Sequence, residues 1–215
     1  MTKLPHRLVA LVALAPLAAV LVGLPTPQDP AADGATVEVD EAEAPVTVIA
    51  VRHAEKATDD PRDPLLTPAG EARARDLARL LEAADVTHLF TSPYRRTRAT
   101  LAPLAEATGL EVVTYDPRQP TQLVARLRGL PPGARAVVSG HSNTTPALVR
   151  ALGGDPGRVE TSRGMQVLPD DAYDRLFVLT LGGERRATAT LELRYGQPTP
   201  PTRPASRPST PPTER

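Results

Sequence analysis

The sequence predicts an α/β fold, a three-layer sandwich in which a mainly parallel central sheet is flanked by helices. Between residues 46 and 196, short apolar segments of strand length alternate with segments of helical period. Such alternation favours parallel strands joined by crossover helices. The segment is also long enough for one domain with a sizeable core.

Two strand–helix units make up the first half of this segment. The strand 46–51 is a continuous apolar run rich in β-branched residues, as expected of a strand buried on both faces. Thr67 and Pro68 begin the following helix as its cap and first residue, and leucines and alanines supply its apolar stripe. A second strand and helix follow at 86–91 and about 97–107.

The second half adds further strand–helix units and a closing hairpin. Their predicted bounds are a strand at 110–115, a helix at 122–130, a strand at 135–139, a helix at about 145–152, and hairpin strands at 175–181 and 187–194 around Gly182-Gly183. In sheets of this kind, ligands bind at the carboxyl ends of the strands. Residues just after each strand are therefore the first candidates for a functional site.

Two of the four histidines lie just past predicted strands. Arg52-His53 follows the first strand, and His141 follows the fourth within the sequence SGHSN at 139–143. The arginine-rich sequence TSPYRRTR at 91–98 follows the second strand. We expect these three strand ends to bring two histidines and several arginines to one edge of the sheet.

Imidazoles beside arginines are suited to phosphoryl transfer. Guanidinium groups bind phosphate oxygens in pairs and keep their charge at any usable pH. A neutral imidazole nitrogen can attack phosphorus and form a phosphohistidine. Zinc binding by His53 and His141 is the weaker hypothesis, because neighbouring arginines would repel the cation and neither HExxH nor thiolate spacing is present. We therefore expect no metal and no cofactor.

Three segments also resemble a known family. Arg52-His53-Ala54-Glu55 resembles the RHG/RHAE signature of the histidine phosphatase, or phosphoglycerate mutase-like, superfamily. The sequence SPYRRTRAT at 92–100 is similar to its SPxxRxxxT segment, and Gly140-His141 to its second GH signature. The resemblance covers about 46–195. The RHAEK start and the short chain are closest to the small branch that includes phosphohistidine phosphatases.

The resemblance implies a role for each of four residues. His53 is implied to be the residue that is phosphorylated, and Arg52, Arg96 and His141 to form the rest of the site; we call these four residues the phosphate pocket. The spacing of the motif assigns the family's arginine to Arg96 rather than to its neighbour Arg95.

The proton donor to the leaving group is not marked by a motif. Glu55 and Asp116 are the candidates, and the acidic loop 59–63 is a further one because it can fold over the pocket. Asn143 is expected either to contact phosphate or leaving group, or to cap the following helix. Without a strong acid, the enzyme can still cleave phosphorylated imidazoles, which are good leaving groups.

The leading hypothesis is a metal-independent phosphatase that acts on phosphomonoesters or related phosphoryl compounds. A phosphomutase is less favoured, because it must retain its product and the region between Tyr115 and Arg135 is short. The alternative from another class is a catalytically silent module that binds a phosphorylated or anionic envelope ligand in the arginine pocket.

Charge and chain ends indicate partners and location. The 25 basic residues balance the 25 acidic ones, which argues against nucleic-acid binding. The partner expected from the phosphatase hypothesis is a small phosphorylated substrate. A basic start and an apolar run predict that 1–24 is a signal peptide or N-terminal anchor, the only expected membrane attachment, and that the protein is exported. Residues 25–45 read as a flexible spacer and the Pro-rich 197–215 as a disordered tail, leaving the domain at 46–196.

Overall fold

The computed structural model describes residues 44–182 and 187–198, which contain one large sheet and a separate two-stranded hairpin. The strands are β1 (Thr47–Arg52), β2 (His88–Thr91), β3 (Val112–Thr114), β4 (Arg135–Gly140), β5 (Glu160–Ser162), β6 (Met165–Val167), β7 (Arg175–Thr180) and β8 (Ala189–Arg194). The large sheet has the order β3-β2-β4-β1-β7-β8, and β5 pairs with β6.

The helices lie between these strands as the sequence predicts. They are α1 (Pro68–Leu81), α2 (Arg95–Thr108), α3 (Pro120–Arg128) and α4 (Thr144–Ala151). The predicted start of α1 is confirmed, because the Thr67 hydroxyl accepts a hydrogen bond from Gly70 N at 3.1 Å and Pro68 is the first helical residue. α2 begins at Arg95, two residues before the predicted start, so Arg96 lies in its first turn.

Alternate residues of β1 divide the core into two layers. Val48 and Ala50 pack in an apolar cluster with residues of α3 and α4. Ile49 and Val51 pack on the opposite face with residues of α1 and α2. Because β1 is covered on both faces, its side chains are apolar at every position from 48 to 51. The predicted three-layer α/β sandwich is confirmed.

Strand directions make the sheet mixed and mainly parallel. β1 is parallel to β4, β4 to β2, and β2 to β3, whereas β7 is antiparallel to β1 and β8 to β7. The last pair confirms the predicted closing hairpin. The register places Arg52 opposite Gly140 and Thr91 opposite Ser139, so the carboxyl ends of the three inner parallel strands meet at one edge.

The largest differences from the sequence prediction are the β5–β6 hairpin and the length of β3. The β5–β6 hairpin was not predicted, because its residues are mostly exposed and polar and show no strand alternation. It turns at Arg163-Gly164, both with positive φ. β3 has three residues where six were predicted, as befits a short strand at the edge of the sheet.

The described residues extend slightly beyond both ends of the predicted domain at 46–196. Ala44 O accepts a hydrogen bond from Gly133 N at 2.9 Å, and Gln197 O accepts one from Arg73 Nη2 at 2.8 Å. The predicted signal or anchor at 1–24, most of the spacer and nearly all of the tail lie outside the described residues. Within the part that is described, no helix has the length and apolar character needed to span a membrane.

Candidate active site

The carboxyl edge of the sheet brings the two predicted histidines together. His53 directly follows β1, and its backbone N donates to Gly140 O at the end of β4, at 2.9 Å. The imidazole rings of His53 and His141 lie 5.5 Å apart between centroids, at an angle of 67°. Parallel pairing of β1 with β4 is therefore what places two residues 88 positions apart in one site.

His53 is held as a neutral imidazole with one nitrogen free to react. Its Nδ1 lies 2.8 Å from Ala54 O, and because a carbonyl only accepts, Nδ1 must carry the proton. Nε2 then presents a lone pair. Burial, strengthened by the charges of Arg52 and other cations nearby, lowers the pKa of His53 to about 3. The nucleophilic form is thus present at all physiological pH values.

Hydrogen bonds on both ring nitrogens orient His141. Its Nδ1 accepts from Arg96 Nη2 at 3.4 Å, so its Nε2 carries the proton and donates to Ser92 Oγ at 2.8 Å. Ser92 Oγ lies 2.8 Å from the buried hydroxyl of Thr97, which extends this series of hydrogen bonds into α2. Burial lowers the pKa of His141 to about 4, and a bound phosphate dianion would raise it.

Arg52 and Arg96 supply the cationic part of the pocket. Arg52 is buried, and its Nη1 donates to Pro169 O at 2.9 Å and to Asp170 O at 3.1 Å. The Nε atoms of both arginines are buried and find no hydrogen-bond acceptor among the described residues. Buried donors without acceptors are costly, and phosphate oxygens would satisfy them.

Arg96 and its neighbour Arg95 face different surroundings, as the spacing predicts. The side chain of Arg96 is 13% exposed and that of Arg95 is 49% exposed. Arg96 Nη1 lies 3.5 Å from Asp63 Oδ1, which also accepts from Arg95 N at 2.9 Å. The acidic loop 59–63 therefore folds against the pocket, with Asp63 as its contact.

Two tyrosines that the sequence analysis missed complete the site. The Arg52 guanidinium carbon lies 4.1 Å above the Tyr173 ring, whose centroid is 6.0 Å from that of His53. Tyr94 packs edge-on against His141, at 5.0 Å between centroids, and lies under Arg96. Tyr94 is within the SPYRR segment, whereas no sequence signal marks Tyr173. Both aromatic faces fix an arginine in place.

The two residues predicted as proton donors are engaged elsewhere. The Glu55 carboxylate accepts from Arg73 Nε at 3.0 Å and from Arg73 Nη2 at 2.7 Å, which directs it towards α1. Asp116 accepts from Arg118, and these hydrogen bonds hold the pKa of Asp116 far below its usual range. A carboxylate stabilised in this way is a poor proton donor, so the geometry argues against both assignments.

Asn143 lies at the start of α4 beside His141. Its side chain makes no capping hydrogen bond, so the capping alternative is not what the structure shows. Thr144 Oγ1 instead accepts from His141 N at 2.8 Å and shapes the turn. Among the described residues, no group of three or more His, Cys, Asp or Glu side chains is placed to hold a metal ion. The arrangement is a neutral imidazole surrounded by cationic hydrogen-bond donors.

About a third of the chain matches a known protein family. Residues 48–118 match the Histidine phosphatase superfamily (branch 1), which confirms the resemblance predicted from the motifs over this part of the chain. The match runs from Val48 in β1 through α1, β2, α2 and β3, and thus includes Arg52, His53 and Arg96. His141 lies beyond it.

One curated relative matches over a limited region. A Yersinia enterocolitica protein described as "Probable phosphoglycerate mutase GpmB" is 39% identical in an alignment of 77 residues that covers 33% of this chain. The match spans 35% of the relative, about a third of its length.

Solved structures share the fold. The protein histidine phosphatase SixA complexed with tungstate has a TM-score of 0.52 at 21% identity, covering 69% of this chain and 96% of that one. YhfR of Bacillus stearothermophilus has a TM-score of 0.50 at 15% identity, covering 64% and 92%. At these identities the likeness establishes the fold alone.

Proposed function

We propose that this chain, which matches the histidine phosphatase superfamily over residues 48–118, is a metal-independent phosphatase. In this proposal it hydrolyses phosphomonoesters or related phosphoryl compounds, and His53 carries the phosphoryl group between two steps. The observation that carries the proposal is the state of His53, whose Nδ1 proton is held by Ala54 O so that Nε2 is free as a nucleophile.

In the first step, the lone pair of His53 Nε2 forms a bond to phosphorus while the bond from phosphorus to the leaving oxygen breaks. The leaving oxygen departs with that electron pair and takes a proton from solvent. Arg52 and Arg96 stabilise charge on the other phosphate oxygens, and they do so from fixed positions because Tyr173 and Tyr94 support them. Arginines here perform the neutralisation for which many phosphatases use a metal ion.

In the second step, water attacks phosphorus, the N–P bond breaks and its electron pair returns to Nε2. The proton released by the water balances the one that the leaving group took, so ester and water become alcohol and phosphate. His141 is proposed to donate to a phosphate oxygen once the bound dianion has raised its pKa from about 4. Splitting the displacement in two lets one neutral imidazole serve both halves.

The direct experiment is an assay of the purified chain with phenyl phosphate. Wild type is expected to release phosphate with or without chelator. His53→Ala is expected to lose activity while keeping its circular dichroism spectrum, because it removes the nucleophile and leaves the pairing of β1 with β4 intact. Turnover of His53→Ala at the wild-type rate would overturn the mechanism.

Two rival functions give different results in that assay. The description of the Yersinia relative makes a phosphoglycerate mutase the second candidate. A mutase would interconvert phosphoglycerate isomers faster than it releases inorganic phosphate, whereas the proposed phosphatase would release phosphate. A silent binding module would bind phenyl phosphate in the arginine pocket and release nothing.

Export is part of the proposal and rests on the sequence of residues 1–24. The expected outcome of cell fractionation is recovery outside the cytoplasm, either free or attached to the membrane. Deletion of 2–24 should move the protein to the soluble cytoplasmic fraction. Cytoplasmic recovery of the full chain would remove this part of the proposal and leave the enzymatic part standing.

A further inference from the structure

A cavity of about 360 Å³ opens at the carboxyl edge of the sheet, on the face covered by α3 and α4. Most of its wall is apolar, with contributions from Tyr115, Leu123, Val138, Leu148 and Met165. None of the four phosphate-pocket residues lines it. Its volume is near the lower end of the roughly 300–1,000 Å³ of small-molecule sites.

The cavity and the phosphate pocket share one turn of the chain. Gly140, Asn143 and Thr144 line the cavity. Gly140 O accepts from His53 N, and Thr144 Oγ1 accepts from His141 N. The cavity therefore lies directly beside the turn that carries His141.

The close packing of this turn depends on a residue without a side chain. A Cβ added at Gly140 would lie 2.9 Å from the hydroxyl oxygens of both Thr144 and Thr145 and 3.3 Å from the Tyr115 hydroxyl. Any other residue would require α4 or Tyr115 to shift. The glycine thus allows the turn to pack closely against both of them.

Polar groups in the wall offer little to a charged ligand. The Tyr115 hydroxyl donates to Ser139 O at 3.3 Å, and burial raises its pKa to about 12, so it stays neutral. Asn143 and Gln166 are uncharged. Arg150, the lining residue that carries a charge, is exposed. A second phosphate or a carboxylate carried into the apolar interior of the cavity would lose hydration without gaining a charged partner, because Arg150 is exposed.

We infer that this cavity holds the leaving group, and that the substrate is a phosphomonoester whose non-phosphate part is a compact, uncharged apolar group of about ring size. The inference rests on the proposed phosphatase function. It assigns substrate selection to α3, α4 and the β5–β6 hairpin. The phosphate pocket selects the phosphoryl group, and the cavity selects what is attached to it.

A pair of esters with matched chemistry tests this inference. Phenyl phosphate and 4-propylphenyl phosphate have leaving groups of similar acidity and differ in apolar bulk. Wild type is expected to favour the propyl ester about tenfold in kcat/KM, since methylenes in an apolar pocket contribute factors of this order. Equal kcat/KM for the two esters would overturn the inference while leaving the proposed function intact.

Matched variants locate the effect in the cavity. Ala147→Asp on α4 and Met165→Asp on the hairpin each place a carboxylate at the wall, and both positions are exposed enough to tolerate it in the folded chain. Each is expected to abolish the preference for the propyl ester. Leu191→Asp on β8, where the side chain is 57% exposed, is the control and should keep the preference. Retention of the preference in both cavity variants would contradict the inference.

Binding of 4-propylphenol, followed by calorimetry, tests the cavity without turnover. We expect wild type and Leu191→Asp to bind it, and Ala147→Asp and Met165→Asp to bind it much more weakly. A wild type that binds 4-propylphenol but hydrolyses neither ester would refute the phosphatase and keep the apolar site. Equal binding by all four proteins would refute the site.

Discussion

At the scale of single residues, the site is a set of cations whose positions are fixed before any substrate arrives. Tyr173 and the carbonyl groups of Pro169 and Asp170 hold Arg52, while Tyr94 and Asp63 hold Arg96. Donors that are already oriented need no reorganisation as charge develops in the transition state. This arrangement explains how a pocket built from arginines can replace a metal ion.

The clearest residue-scale prediction separates two adjacent arginines. Arg96→Ala is expected to lower kcat/KM about a hundredfold or more, the scale seen when one transition-state donor is removed. Arg95→Ala should lower it less than about threefold, because the Arg95 side chain is half exposed and its guanidinium contacts Asp63 O and Asp59 instead. Steady-state kinetics with phenyl phosphate distinguish the two. A larger loss of kcat/KM in Arg95→Ala than in Arg96→Ala would show that Arg95, and not Arg96, is the arginine that binds phosphate.

At the scale of elements, a buried ion pair attaches the loop after β1, which carries His53, to α1. Arg73, which is 4% exposed, binds Glu55 and also donates to Tyr195 O and Gln197 O beyond β8. Gly70 lies directly against the same loop, where an added Cβ would be 2.3 Å from Glu55 O. These contacts join β1, α1 and the chain after β8 just behind His53. Glu55 is therefore a structural residue in this account.

Paired amide substitutions test the structural role of Glu55. Glu55→Gln is expected to lower the free energy of unfolding by about 2 kcal/mol, because Arg73 would keep a buried charge with a weaker partner. Asp85→Asn, at the exposed Arg135–Asp85 pair, should change it by less than about 1 kcal/mol. Urea denaturation measures both. A selective loss of alkyl phosphate cleavage in Glu55→Gln, at unchanged stability, would instead identify Glu55 as the proton donor.

The elements also show how far sequence reasoning reaches. The strand–helix order, the α1 cap and the pocket residues His53, Arg52, Arg96 and His141 could be predicted, because each depends on local pattern or on a motif at a strand end. Tyr173 could not be predicted. Its position depends on the chain after β6, which is tied to the His141 turn by the hydrogen bond from Leu168 N to Ser142 O at 2.7 Å.

The arginine partners of Glu55 and Asp116 and the β5–β6 hairpin were not predicted. Arg73 of α1 binds Glu55, a pairing that depends on how α1 packs against the loop after β1, whereas Arg118 binds Asp116 within one short loop. The hairpin, built of exposed residues, carries no apolar alternation that a sequence pattern could show.

At the scale of the whole molecule, burying two neutral histidines makes stability depend on pH. The folded-state pKa values of about 3 for His53 and about 4 for His141 lie below the ordinary value of 6.5. At a pH between the folded-state and the ordinary pKa values, the two histidines bind protons in the unfolded chain but not in the folded chain. Stability is therefore complete above about pH 6.5 and is lost progressively as the pH falls.

A pH series on the unfolding free energy tests this consequence. Between pH 7.5 and pH 5.0, His53 alone should lower the free energy of unfolding of wild type by about 2 kcal/mol. His53→Gln should lack that part of the decrease. His88→Gln on β2, away from the pocket, is the control and should lose as much as wild type. Urea denaturation at the two pH values gives the comparison. An unaltered pH dependence in His53→Gln would show that His53 is not buried as a neutral ring.

Identification of the phosphorylated residue is the most direct test of the proposed phosphohistidine mechanism. The full chain is mixed with phenyl phosphate labelled in its phosphoryl group, quenched rapidly in alkali, and mapped by mass spectrometry. We expect up to one phosphoryl group per chain, attached to His53. It should be stable in alkali, lost in acid and absent from His53→Ala. Steady turnover with no phosphohistidine in wild type, or with the label on His141 or a hydroxyl side chain, would contradict it.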